Sequence, residues 1–107
     1  MQDRNKKMEN LVKELSARFL ERENNRSSLI TITEVTCSSD LKHATIYISV
    51  MPSSKENAAL MFVKRQLGDL RDFLGKNIRA KNIPFLEVMI DQGEKNRQKI
   101  DELLRGK

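Results

Sequence analysis

Met8, Leu11, Val12, Leu15, Phe19 and Leu20 recur in steps of mostly three and four, while Lys6, Lys7, Lys13, Glu14 and Arg22 fall largely between them. This is the period of one apolar helix face, so an amphipathic helix is predicted from about Asp3 to Glu23. Asn24 to Ser28 follow, residues that compete for the backbone through local side-chain hydrogen bonds and favour turns.

The period then changes to two. Ile30 and Ile32 share one face and Thr31 and Thr33 the other. The β-branched side chains suit an extended backbone. Strict alternation would next place Glu34 with the isoleucines, so a bulge near Glu34 is predicted to return Val35 and Cys37 to the buried face. Ser38 to Lys42 form a polar turn, after which Ala44, Ile46, Ile48 and Val50 line one face of a second strand and Thr45, Tyr47 and Ser49 the other. An antiparallel hairpin results.

Pro52 stops that strand. Ser53 and Glu56 have the spacing of a capping box, which predicts a helix from near Ser54. Ala59, Phe62, Val63, Leu67, Leu70, Phe73, Leu74 and Ile78 carry helical spacing to about Arg79. Gly68 and Gly75 lie inside it, each costing about 1 kcal/mol relative to alanine in a straight helix, and one of them is expected to mark a kink or break. Beyond Pro84, Leu86, Val88 and Ile90 alternate as a third strand, which a helical crossover can bring parallel to a hairpin strand. Ile100, Leu103 and Leu104 predict a short final helix. The order is α-β-β-α-α-β with a C-terminal helix.

A chain of 107 residues holds one domain with a modest core. Its formal charge of +5 and sequence pI near 9.6 favour encounter with polyanions. Lys64, Arg65, Arg71, Lys76, Arg79 and Lys81 face only Asp69 and Asp72 within residues 64–81, a local excess of four positive charges. The lone Cys37 excludes an intrachain disulfide and suits a reducing compartment, its strand position pointing to a small buried hydrophobe. The charged first residues lack a signal-peptide pattern and no segment approaches a membrane span, so a cytoplasmic protein with no membrane association is expected.

Three segments stand out: one runs Ile32-Thr33-Glu34-Val35 through Ser39-Asp40-Leu41-Lys42-His43-Ala44 to Tyr47-Ile48-Ser49-Val50; another is Leu70 to Arg79; the last is Ile83 to Asp91. In order and spacing they resemble the ribosome-binding factor A family of small-subunit assembly factors. The likeness runs from about Met8 to Asp91. It implies an α+β chain, a single type II KH-like domain with a three-stranded mixed sheet, helices on one face and a kinked helix pair. The domain would occupy residues 1–107, with its core at about 8–91 and a C-terminal helix or tail at 92–107. The family writes its kink Ala-x-Gly, whereas Gln66-Leu67-Gly68 stands here.

The resemblance also implies a non-enzymatic role as a monomer without cofactor or metal: binding the immature 30S subunit and its 16S rRNA, and assisting late maturation and 5′-end processing. The residues expected to contact RNA are Lys64, Arg65, Gly68, Arg71, Lys76, Arg79 and Lys81, with Arg4, Lys6, Lys7 and Lys42 as secondary candidates. Lysine and arginine neutralise phosphates, and a glycine lets backbone N–H groups approach them. The bland reading of the same charges is the solvated side of an amphipathic helix. Tyr47 alone is no stacking platform.

Two other classes stay open. A general basic RNA- or DNA-binding domain would use the same charges, and a helix-break-helix around Gly68 could pass for a helix-turn-helix. An enzyme lacks a convergent set of groups: His43 has no second histidine or nearby cysteine, and Asp40 and Asp91 suit turn closure.

Overall fold

The computed structural model describes residues 2–23 and 28–93. Helix α1 (Gln2–Glu23) leads to strands β1 (Leu29–Cys37) and β2 (His43–Met51); a single 3-10 turn (Ser53–Lys55) opens helix α2 (Glu56–Asn77), and β3 (Phe85–Ile90) follows. The sheet order is β1-β2-β3, with β1 antiparallel and β3 parallel to β2. Both helices pack on one face of this mixed sheet. The arrangement is compatible with a KH-like organisation.

The two-residue period places the inward side chains in register across all three strands. Ile32, Ile48 and Ile90 form one row, Val35, Ile46 and Val88 the next, and Cys37, Ala44 and Leu86 the third. Against them α1 buries Met8, Val12, Leu15, Phe19 and Leu20, and α2 buries Ala59, Val63, Leu70 and Leu74. Phe19 and Phe73 meet at 5.6 Å between ring centroids where the helices touch, with the Arg22 guanidinium over the Phe73 ring.

The bulge lies where the alternation fails. Ile32 pairs with Ile48 and Glu34 with Tyr47, leaving Thr33 as the extra residue. Its hydroxyl donates across the sheet to the Asp91 carboxylate just beyond β3. Val35 thereby returns to the core and Glu34 turns to solvent.

The predicted break in the second helix does not form: α2 runs unbroken through Gly68 and Gly75. Only one α-helix separates β2 from β3. The helix is held by Val63, Leu70 and Leu74 beneath it, and tertiary packing of an apolar face outweighs the poor propensity of isolated glycines. The capping-box start is also displaced, since residues 53–55 form the 3-10 turn and neither Pro52 nor Lys55 supplies a side-chain cap. The helix ends at Asn77, two residues before Arg79, because Ile78 adopts an extended backbone and turns its side chain into the core. The predicted C-terminal helix with Ile100, Leu103 and Leu104 lies outside the described residues.

Candidate nucleic-acid interface

A helix advances about 100° per residue, so positions separated by four, three and four residues lie along one row. Lys64, Gly68, Arg71 and Gly75 have that spacing, and all four are exposed on the side of α2 away from the core. A second exposed row holds Arg65, Asp69, Asp72 and Lys76. The acids therefore accompany Arg65 and Lys76, while the Lys64 row alternates bases with glycines.

Gly68 has open space around it: a Cβ built there meets no atom within 4 Å. The fold does not require glycine at this place. At Gly75 a Cβ would rest 3.9 Å from the Ile83 side chain, an ordinary contact. Both positions leave helix backbone bare between cationic side chains.

Arg71 has a structural duty as well. Its Nε donates to the Pro84 carbonyl at 3.2 Å and a terminal nitrogen donates to the Ile83 carbonyl at 2.8 Å, tying α2 to the segment that leads into β3. Beside this clamp lies an open cleft of about 410 Å³ lined by Arg71, Asp72, Gly75, Lys76, Lys81 and Asn82 together with Ile83. Lys76 and Lys81, from different segments, thus share one concavity. Arg79 is exposed on the same connection.

The secondary candidates converge on the hairpin-turn end of the sheet. Asn5 donates from Nδ2 to the Ser38 carbonyl at 3.0 Å, and the Cys37 N–H donates to the Glu9 carboxylate at 2.9 Å, which fixes the start of α1 against the turn. Lys6 and Lys7 are exposed there, as is Lys42 within the turn. The Phe85 N–H donates to the Lys42 carbonyl at 2.8 Å, bringing the 78–84 connection to the same end. The Arg4 side chain lies outside the described residues. Linking α1 to the turn depends on residues 33 and 28 positions apart in sequence, a proximity that no local pattern signals.

The turn itself is tightly bonded. The Asp40 carboxylate accepts from the Ser38 hydroxyl at 2.6 Å and from the Lys42 N–H at 3.0 Å. Those bonds, the hydroxyl's first, hold its pKa below the ordinary carboxylate value. Leu41 takes a positive φ of 60° to complete the turn. Burial, aided by the Glu9 carboxylate, pushes the Cys37 thiol up to about 11, so it stays protonated and unreactive near neutrality. His43 lies against Phe85, ring centroids 6.3 Å apart. Among the described residues no group of three or more His, Cys, Asp or Glu side chains could hold a metal ion, and no helix is long and apolar enough to cross a membrane.

The sequence profile of the family described as "Ribosome-binding factor A" matches residues 4–104. The chain belongs to the ribosome-binding factor A family. It is 38% identical over 104 residues to the ribosome-binding factor A of Clavibacter michiganensis subsp. michiganensis, covering 94% of this chain and 63% of that relative. The factor from Leifsonia xyli is 33% identical over 105 residues, covering 95% of this chain and 74% of its own length. The chain thus spans less than two thirds of the Clavibacter protein.

The crystal structure of ribosome-binding factor A from Thermus thermophilus has the same fold, with a TM-score of 0.72 at 22% identity over 80% of this chain and 94% of that one. A homology model of the Thermus thermophilus factor, fitted into a cryo-electron-microscopy map of a complex with the 30S subunit, gives a TM-score of 0.62 at 21% identity, over 83% and 92% of the two chains.

Proposed function

We propose that this chain is a non-catalytic, monomeric assembly factor of the cytoplasm that binds the immature 30S subunit. In this reading it holds the phosphate backbone of 16S rRNA along the Lys64, Gly68, Arg71 and Gly75 row, and so assists late maturation and processing of the rRNA 5′ end. The observation that carries it is the exposed Gly68, which no packing requires and which stands between two cations. A bare turn of helix lets phosphate come close to backbone while Lys64 and Arg71 supply charge.

Lys76 and Lys81 extend the same basic surface through the cleft, and Lys6, Lys7 and Lys42 give it a second region at the turn end. Arg71 keeps only part of its donor set for a phosphate, the rest being bonded to the Ile83 and Pro84 carbonyls. Family membership and the 30S complex of the Thermus thermophilus relative support the choice of the small subunit as partner.

Ultraviolet cross-linking of the protein in cell extract, followed by sequencing of the attached RNA, tests the proposal. Enrichment of precursor 16S rRNA from small subunits is expected. Recovery of unrelated RNAs in proportion to their abundance, or of DNA, would favour a general basic nucleic-acid-binding domain instead.

A further inference from the structure

The outer face of the sheet has a character opposite to the other described surfaces. Although the protein carries 20 lysines and arginines, none lies in β1, β2 or β3. The strands contain two acidic residues, Glu34 and Glu87, and both are on the face turned away from the helices. Glu34 pairs with Tyr47 and Glu87 with Thr45, so the two acidic residues flank the central strand on a diagonal, about 12 Å apart between backbone positions at the usual strand spacing and rise.

The same face gathers exposed apolar side chains. Of the six large hydrophobic residues most exposed among those described, Leu29, Met51, Phe85 and Met89 lie here, with Phe85 at 65% exposure. Leu29 and Met51 are direct partners in the ladder, as are Tyr47 and Met89. Exposed large apolar side chains interleaved with Thr31, Ser49, Thr45 and the two carboxylates on one open sheet face suit a protein contact. RNA is disfavoured, since phosphate would meet two carboxylates and no cation of the strands.

We infer that this open sheet face docks a basic, apolar-bearing protein component of the assembling small subunit, while the helical side holds rRNA. The inference rests on the proposed subunit binding. Charge complementarity selects the partner: lysine or arginine side chains would pair with Glu34 and Glu87 across an interface whose centre is Tyr47 and Met89. The factor would then bridge RNA on one side and protein on the other.

Site-specific photo-cross-linking tests this with full-length chain bound to isolated immature small subunits. Benzoylphenylalanine is placed at Met89 in one preparation and at Lys64 in another, and the products are identified by nuclease digestion and mass spectrometry. The Met89 probe is expected to join a ribosomal protein in a nuclease-resistant product, and the Lys64 probe to join rRNA. In parallel, the double variant Glu34→Lys with Glu87→Lys is expected to lose about tenfold or more in affinity for subunits while binding protein-free 16S rRNA at least as well as the parent chain.

A Met89 cross-link to rRNA, to a second copy of the chain, to residues 94–107 or to nothing, with the Lys64 probe reacting with rRNA, would overturn the sheet-face contact and leave RNA binding intact. A protein product from Met89 with no RNA product from Lys64 would support the sheet-face contact and count against the rRNA surface. Unchanged subunit affinity in the Glu34 and Glu87 double variant would overturn the role given to the two carboxylates.

Discussion

Ser16 is a polar side chain at full burial in α1, and its hydroxyl has no hydrogen-bond partner. A buried unsatisfied hydroxyl costs stability that an alanine of nearly the same size avoids. Ser16→Ala is expected to raise the unfolding free energy by about 1 kcal/mol in urea titration; a loss of stability would reveal a partner for the hydroxyl. Asp40 acts in the opposite sense. Its pKa is lowered in the folded chain, so its contribution is present above the ordinary carboxylate range and is lost as the pH falls through the lowered value. Asp40→Ala should therefore lower Tm at neutral pH, with the deficit shrinking in strong acid. A deficit of constant size across that range would assign the effect to something other than the carboxylate. The part of Asp40 was legible from its place in a polar turn. That of Arg71 was not, since its carbonyl partners lie 12 and 13 residues away and only the folded connection brings them within reach.

The elements follow period where period is clean. The strands alternate as their side chains do, and the bulge at Thr33 falls where Glu34 would otherwise have entered the core. Ile48, fully buried in the central strand, should therefore be costly to truncate: Ile48→Ala is expected to reduce stability by about 2 to 5 kcal/mol, and a change under about half a unit would contradict the assigned faces. The break into two helices does not form because propensity is a local quantity, whereas α2 is held by side chains that Gly68 does not touch. The continuous helix changes what the glycine can mean. Since a Cβ there meets open space, Gly68→Ala is expected to stabilise the protein by about 1 kcal/mol while weakening its binding to immature subunits. Unchanged binding in that variant would remove close backbone approach from the account.

At the scale of the whole molecule, charge among the described residues is sorted by surface. Strands without lysine or arginine leave one broad face acidic and apolar, and the basic residues of α2, the 78–84 connection, the turn and the start of α1 occupy other surfaces. The family was legible from the order of three segments, but the sorting was not, because it depends on which face of the sheet the helices cover. If about four phosphates are engaged, log affinity for the subunit should fall with log salt at a slope near −3 to −4. The most direct test is co-sedimentation of the Lys64→Glu, Arg65→Glu double variant with immature small subunits over a series of salt concentrations, alongside its thermal unfolding. Both side chains are exposed, so Tm should stay close to that of the parent protein while the variant is released from the particles. A folded variant that still co-sediments with the parent's affinity and salt slope would contradict the assignment of rRNA binding to this face of α2.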